Sequence, residues 1–421
     1  MTEVIKIEGR HPLNGTIRIS GAKNATVALI PAAVLAHEPV KLVGIPDISD
    51  VESLKEILTF LDIKVDTSVE GEIYIDPSNM ENKPLEINAV SKLRASYYFM
   101  GALLGKYKYC RIKMPGGCNL GPRPINLHLK GFEALGAKIS YEDDCCILKA
   151  DHLKGANISL DISSVGATIN IIMAAVYAKG RTVIDNAARE PEIIDVITLL
   201  NKMGARIRGA GTSTIIIDGV DYLGGCFHEI IPDRIEAGTF MILAAAMAEH
   251  VRIENVIPYH LDSLMAKLKE AGVHIDSKID YVDIYSSPNL RAVDIVTAPY
   301  PSFATDLQSP FISLLTQATG VSRITETIYP ERFKLCDQLN KMGANSIVQS
   351  PVATVYGPTI LQGTTVQATD LRCGAGLVVA GLLAEGVTTI TDVFHIDRGY
   401  ENLDKKLQNI GARIWRETIE D

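Results

Sequence analysis

LLNKMGARI, residues 199–207, decides the fold because the chain repeats it: FEALGAKI at 132–139, LKEAGVHI at 268–275, LNKMGANSI at 339–347 and LQNIGARI at 407–414. Apolar residues at helical spacing run into a glycine, and an alternating pattern follows. That order describes a helix closed by a left-handed Gly, with a strand starting directly after it. The glycines are Gly136, Gly204, Gly272, Gly343 and Gly411, spaced 68, 68, 71 and 68 residues apart by subtraction. A sixth, divergent copy is ILTFLDIKV at 57–65, where Asp62 takes the glycine's place 74 residues before Gly136. Aspartate also visits the left-handed region, less readily. Since 421/6 is about 70, six units fill the chain.

A second helix per unit shows as PAAVLA (31–36), MGALLG (100–105), MAAVYA (173–178), LAAAMA (243–248), ISLLTQ (312–317) and VAGLLA (379–384). These helices are apolar nearly all round, so they are expected to be buried between other layers. One unit reads as strands, buried helix, strand, amphipathic helix, strand, an α/β repeat. The chain stops soon after the sixth copy of the glycine phrase, and the missing piece resembles its own N-terminus: VIKIEGRHPLNGTIRIS (4–20) matches IIIDGVDYLGGCFHEII (215–231). Pairing of residues 1 to about 21 with the C-terminal copy completes it. Three units per domain then give 22–231 as one domain, and 1–21 plus 232–421 as the other. The links near Ala22 and Ile231 form a natural hinge beside a cleft.

Composition narrows the function. The chain is 47% hydrophobic and 22% charged, long enough for two or more cores. A net charge of −9 argues against a general nucleic-acid or membrane-surface binder. The N-terminus MTEVIKIEGR lacks a basic and apolar leader, and apolar runs such as Thr239–Ala248 fall short of the ~20 residues that cross a bilayer, so a cytoplasmic location is expected. Seven cysteines, at 110, 118, 145, 146, 226, 336 and 373, form no CxxC pair and read as free thiols in a reducing compartment. Metal binding through sulfur is not expected, and with Walker A, dinucleotide GxGxxG and HExxH patterns missing, nucleoside triphosphate, nicotinamide and zinc chemistries lose their usual signatures.

Aligning the units puts polar residues at the starts of the buried helices: Lys23 and Asn24, Arg94, Ser164 and Gly166, Asp233 and Arg234, Thr305 and Asp306, and Arg372. A helix start carries unpaired N–H groups and partial positive charge, so cations there are out of place unless an anion is present. Lys23, Arg94 and Arg372 break the rule at equivalent positions, which reads as a phosphate or pyrophosphate site. For any one of them alone, pairing with a neighbouring carboxylate is the plainer reading. The amphipathic helices add Arg123, Arg189, Arg332 and Arg398 at their starts. The segment PGGCNLGPRPINLH (115–128) enlarges one such start with glycines and prolines around Cys118. Polar surroundings and Arg123 five residues on favour a reactive thiol there. The C-x4-R spacing is one residue short of the phosphatase-type C-x5-R cradle.

GAKN (21–24), LRAS (93–96), GGCNLGPRP (116–124), SVGAT (164–168), EPEI (190–193), IPDRIEAGTF (231–240), TDLQ (305–308), ERF (331–333), TDLR (369–372) and HIDRGYE (395–401) resemble the enolpyruvyl transferases, specifically the UDP-N-acetylglucosamine 1-carboxyvinyltransferases. VALIPA with CNLGPRP looks more like the second of the two versions some Gram-positive bacteria keep. The resemblance implies a two-domain inside-out α/β barrel of six repeats with the active site in the cleft between domains. It implies phosphoenolpyruvate and UDP-N-acetylglucosamine as substrates, no cofactor, and the first committed step of peptidoglycan precursor synthesis through a tetrahedral intermediate. Cys118 would be the proton donor and the target of fosfomycin-type epoxides. Lys23, Asn24, Cys118, Arg123, Arg372 and Arg398 would bind phosphoenolpyruvate. Asn24, Arg94, Arg123, Pro124, Ile125, Asn126, Leu127, Ser164, Val165, Gly166, Asp306 and Ile328 would line the nucleotide-sugar side, with Asp306 meeting the sugar 3-hydroxyl. Catalysis would rest on Cys118, Lys23, Asp306 and Arg398. Asn126 stands where the family usually has Asp, and Cys373 where Ala is usual. A different class of function remains: a catalytically weak paralogue that binds UDP-sugar or a partner and regulates the pathway.

Overall fold

The six copies of the glycine phrase end their helices in the same way. In the computed structural model, which describes residues 2–114 and 125–420, Gly136, Gly204, Gly272, Gly343 and Gly411 have φ between 98° and 111°, and Asp62 has φ 57°. At each position the following N–H reaches the carbonyl five residues back. These bonds are Ile63 to Leu58 at 3.1 Å, Ala137 to Phe132 at 3.0 Å, Ala205 to Leu200 at 2.9 Å, Val273 to Leu268 at 3.0 Å, Ala344 to Leu339 at 3.0 Å and Ala412 to Leu407 at 3.1 Å. The capping residue bonds three residues back, as in Gly204 to Asn201 at 3.1 Å. This paired pattern satisfies two carbonyls that the helix end would otherwise leave open.

Each cap turns the chain into a hairpin of one small sheet. The described residues hold six sheets, five of four strands and one of three. The pattern is clearest in the sheet Asn157–Ser159, Arg181–Asp185, Thr214–Asp218 and Arg206–Arg208, where a parallel edge strand lies beside an antiparallel meander. In the three-stranded sheet a parallel bridge from Leu85 to Ile112 is what remains of the edge strand.

The chain divides into two compact units, after Ser20 and after Ile231: residues 2–20 with 232–420, and the described part of 21–231. Each closes on itself with strands from its opposite end. In the 21–231 unit, Cys226–Glu229 runs parallel to Val40–Val43 and completes the first sheet. In the other, Thr2–Glu8 lies between Val387–Thr391 and Arg413–Ile419, filling the hairpin that the C-terminal copy lacks. Residues beyond Glu8 do not stay in that sheet. A turn through Arg10, with φ 64°, carries the chain over, and Leu13–Arg18 pairs in parallel with Ala248–Glu254.

The small-residue helices form the interior. Lys23–Ala33 and Val165–Ala175 are buried from Ala25 and Ala167 onward, and all of Gln308–Leu315 is buried. Tyr98–Tyr107 meets Val165–Ala175 so closely that a Cβ on Gly101 would stand 2.4 Å from the Asn170 carbonyl oxygen. Amphipathic helices such as Pro191–Lys202 bury one stripe, here Ile193, Val196, Ile197 and Leu200. Two separate apolar cores result. Among the described residues no helix is long and apolar enough to cross a membrane, and no three His, Cys, Asp or Glu side chains could hold a metal ion.

Gly204→Ala tests the caps. Nothing lies nearer than 3.9 Å to the added methyl, so the loss is backbone strain alone at φ 111°. Urea unfolding should show a loss of about 1–2 kcal/mol.

Candidate active site

Three buried helices are capped by side chains and three are not. Ser164 accepts from Ala167 N–H at 3.2 Å, Asp233 from Ile235 and Glu236, and Asp370 from Arg372 and Cys373. Helix Lys23–Ala33 starts after Ala22 with no side-chain cap, and the helices beginning at Tyr98 and Gln308 each follow a 3-10 turn that also lacks one. These turns are Arg94–Tyr97 and Thr305–Leu307, so Arg94 and Asp306 sit one turn before the α-helix proper.

In the 21–231 unit, Lys23 Nζ lies 3.0 Å from Asp50 Oδ2, both side chains largely buried. The cation at this helix start is thus balanced by a carboxylate from the first turn of helix Ser49–Phe60. Asn24 is the next residue of the Lys23 helix. Ile125 precedes helix Asn126–Ala134, on which Asn126 is exposed and Leu127 buried. Ser164, Val165 and Gly166 form the half-buried entrance to Val165–Ala175.

Sequence reasoning missed what holds this entrance in place. Asn170 is completely buried. Its Oδ1 accepts from Gly101 N–H at 2.9 Å, and its Nδ2 donates to the Tyr97 carbonyl at 3.1 Å and to His128 Nδ1 at 2.9 Å. His128 is therefore the Nε2–H tautomer. Burial, then the Arg94 guanidinium, push its pKa down to about 3, so it stays neutral. The Tyr97 and His128 rings meet edge-on at 5.0 Å. A Cβ on Gly166 would lie 2.8 Å from the Tyr97 hydroxyl and 2.9 Å from His128 Cε1, so only glycine fits. Leu127, Gly166 and Arg94 are tied together through this histidine.

In the other unit Asp306 lies in the 3-10 turn Thr305–Leu307 and faces two arginines. Its Oδ1 accepts from Arg332 Nη1 at 2.8 Å and its Oδ2 from Arg372 Nη2 at 2.9 Å. Both guanidiniums are about 95% buried. Burial works to raise the Asp306 pKa, but Arg372, Arg332 and more remotely Arg234 outweigh it and hold the carboxyl far below the usual carboxylate range. Arg372 also donates to the Tyr400 hydroxyl at 3.2 Å, which is 2.9 Å from Thr239 Oγ1. Arg332 donates to Thr305 Oγ1 at 2.9 Å, while its buried Nε has no hydrogen-bond partner among the described residues. Glu326 is fully buried and accepts from Thr305 Oγ1 at 2.9 Å and from the Ile328 N–H at 2.9 Å. Ile328 is thereby coupled to the Asp306 turn. Arg398 caps the C-terminus of the short helix Phe394–Asp397, two residues before Tyr400. Cys373 is a buried hydrophobe with its thiol pushed up to about 11. Cys118, Arg123 and Pro124 lie outside the described residues.

A glycine entrance with no room for a Cβ, a carboxylate kept ionised by two buried guanidiniums, and Lys23 and Arg398 on their own elements are all set in place by the six-fold repeat. Residues 7–407 match the family described as EPSP synthase (3-phosphoshikimate 1-carboxyvinyltransferase). The chain is 57% identical over 417 residues to UDP-N-acetylglucosamine 1-carboxyvinyltransferase 2 of Bacillus cereus, covering 99% of this chain and 97% of that one. This chain belongs to that transferase family. Against the protein of the same description from Bacillus subtilis (strain 168), identity is 56% over 420 residues, with 100% and 98% covered. Among solved structures, the enolpyruvyl transferase NikO from Streptomyces tendae superposes with TM-score 0.91 at 26% identity over the whole of both chains. EPSP synthase from Acinetobacter baumannii shares the fold, with TM-score 0.73 at 18% identity over 99% and 100% of the two chains. The fold is thus the two-domain α/β architecture of the family, and the chain is an enolpyruvyl transferase.

The neutral histidine gives this enzyme a measurable acid sensitivity. The unfolded chain protonates His128 near 6.5, whereas the folded chain resists to about 3. Below pH 6.5 the unfolded state binds more protons, so this group's stability contribution is lost as pH falls, by about 1.4 kcal/mol per pH unit until pH nears 3. In His128→Asn the amide oxygen replaces Nδ1 as acceptor without titrating. Its unfolding free energy between pH 6.5 and 4 should fall less steeply than the parent's by that amount; equal slopes would place the histidine's proton elsewhere.

Proposed function

We propose that the enzyme transfers the enolpyruvyl group of phosphoenolpyruvate to the 3-hydroxyl of UDP-N-acetylglucosamine with release of phosphate, in the cytoplasm and as the first committed step of peptidoglycan precursor synthesis. The observation that carries this reading is Asp306 between Arg332 and Arg372. A carboxylate held ionised beside two buried cations can accept a hydroxyl's hydrogen bond, while the guanidiniums face the charge of an anionic co-substrate. The names of the relatives supply the choice of sugar.

The reaction adds a proton to C3 of phosphoenolpyruvate and the sugar oxygen to C2, giving a tetrahedral phosphoketal. The same C3 then gives up a proton, the C2–O bond to phosphate breaks, and an enol ether and phosphate are released. Groups from both units take part. Lys23 and Arg398 hold the phosphate and carboxylate, with Asn24, Arg123 and Arg372 beside them, and Arg332 supports Arg372. Asp306 orients the 3-hydroxyl. Asn24, Arg94, Arg123, Pro124, Ile125, Asn126, Leu127, Ser164, Val165, Gly166 and Ile328 receive the nucleotide sugar. Cys118 serves as the proton donor.

Phosphate release from phosphoenolpyruvate should require UDP-N-acetylglucosamine. Turnover only with shikimate 3-phosphate would move the assignment to the sibling activity, and binding of UDP-sugar without turnover would identify a regulatory paralogue. Asp306→Asn keeps the shape but loses the charge, and kcat should fall about 10- to 100-fold with little change in the nucleotide-sugar KM.

Incubation with an epoxide phosphonate of the fosfomycin type should add its mass to the peptide containing Cys118, and Cys118→Ser should lose both that adduct and most activity. A fully active Cys118→Ser variant would remove the thiol from the reaction.

A further inference from the structure

Glu326 is fully buried, and the reaction as written gives it no part. Its place in the repeat singles it out. In four of the six repeats the residue after the central strand takes the left-handed conformation. These are Gly44 after Val40–Val43 at φ 85°, Asn186 after Arg181–Asp185 at φ 57°, Asn255 after Ala248–Glu254 at φ 57° and Asp392 after Val387–Thr391 at φ 56°. A glycine or a short polar residue is enough to end the strand there. Asn186 Nδ2 donates to the Leu160 carbonyl at 2.8 Å and Asn255 Nδ2 to the Ile19 carbonyl at 2.7 Å, each closing the corner against the residue just past the parallel edge strand. After Gly320–Thr325 the chain has Glu326 instead, and it does not take that conformation. Thr297 is the equivalent of Leu160 and Ile19, because its N–H bonds the Thr325 carbonyl at 2.9 Å as theirs bond Asp185 and Glu254 at 3.1 and 3.0 Å.

The longer side chain does more than close a corner. Oε1 accepts from Thr297 Oγ1 at 2.8 Å, from Ile328 N–H at 2.9 Å and from Tyr329 N–H at 3.0 Å, while Oε2 accepts from Thr305 Oγ1 at 2.9 Å. All four donors are neutral. A buried carboxylate held by neutral donors is a costly way to finish a strand that an asparagine finishes elsewhere in the same chain. The added reach gains contact with two turns. Thr305 Oγ1 in its turn accepts from Arg332 Nη1 at 2.9 Å, and the same nitrogen reaches Asp306 Oδ1 at 2.8 Å. One side chain therefore spans the Ile328 turn and the Asp306 turn, both within the unit formed by residues 2–20 and 232–420.

We propose that Glu326 is a positioning residue that holds the Ile328 turn and the Asp306 carboxylate in one register, so that a nucleotide sugar seated against Ile328 presents its hydroxyl to Asp306. This rests on the function proposed for the enzyme. The Oε1 side grips the backbone at 328 and 329 and so shapes the sugar contact. The Oε2 side acts through Thr305 on Arg332, and through Arg332 on the direction of Asp306. Loss of the Oε2 link leaves the sugar bound but misdirects its hydroxyl, whereas loss of both sides weakens binding as well.

Steady-state phosphate release by the full chain separates the two sides. Thr305→Val removes only the Oε2 link, and kcat should fall about five- to tenfold with the nucleotide-sugar KM within about twofold of the parent's. Thr305→Ser keeps the hydroxyl and should recover most of that kcat. Glu326→Asn installs the residue that ends two of the other strands but is too short to span both turns. It should lower kcat at least as far and raise the nucleotide-sugar KM about fivefold or more. If Glu326→Asn does not fold, the two Thr305 variants decide. A parent-like kcat in Thr305→Val, or a Thr305→Ser no better than Thr305→Val, would overturn the proposal. So would variants that lose stability to urea while keeping the parent's kcat and KM, which is the result of a purely structural role. If the parent chain itself releases no phosphate, the proposed function falls and takes this inference with it. If the parent turns over and Thr305→Val matches it, only the positioning role falls.

Discussion

A buried helix cannot leave its first N–H groups without partners, and this chain buries such a helix in each of its six repeats. In an apolar interior each orphan donor costs on the order of 1–3 kcal/mol, so the helix starts are where polar chemistry has to enter. Ser164, Asp233 and Asp370 meet the need directly as caps. At the others the chain approaches through a 3-10 turn or an uncapped start and brings a charged residue instead. Lys23, Arg94 and Asp306 stand at these uncapped starts, and Arg372 lies just inside the helix that Asp370 caps, so charged side chains gather at equivalent points without supplying the caps.

The cations at these points are not bare. Lys23 meets Asp50, and Arg372 meets Asp306. Taken singly, each is the ordinary neighbouring-carboxylate pair that the sequence also allowed. What distinguishes Asp306 is that it has two guanidiniums, so the three groups together carry a net positive charge within a largely buried setting. Asp233 acts on Arg372 at longer range and Glu326 reaches Arg332 through Thr305, so the arginines are held in place by carboxylates on more than one side.

How much could be read in advance follows from the range of the interactions. The helix caps are local: six residues contain both hydrogen bonds, so a glycine phrase in the sequence shows them, and even Asp62 reproduces the geometry at φ 57°. The closure by Thr2–Glu8 was legible because the N-terminus resembles the interior segment it replaces. That Leu13–Arg18 joins a different sheet was not, since the shift depends on a turn at Arg10 that only the neighbouring strand justifies. Arg332 appeared as a helix-start arginine, but its partner lies 26 residues away, and Asn170 and His128 are 42 residues apart. No periodicity encodes such pairs. A single Asn inside an apolar helix is the one hint that Asn170 offered, because a buried amide has to find partners.

The state of Asp306 limits how the proposed reaction can run. The C3 carbon must first receive a proton and later lose one, while the hydroxyl proton ends on departing phosphate. A group that performs the C3 exchange works best with a pKa near the working pH, since it has to be both a fair acid and a fair base. Asp306 is far from that, because Arg332 and Arg372 stabilise its ionised form so strongly that it neither carries a proton to give nor holds one that it takes. Neutralising it would also leave two buried guanidiniums without their carboxylate. In the proposed reaction its contribution is therefore directional: it would orient the hydroxyl oxygen's lone pair toward C2. In the proposed reaction the proton exchange at C3 is therefore assigned to the thiol of Cys118, because an aspartate held ionised between two arginines cannot both give and take that proton.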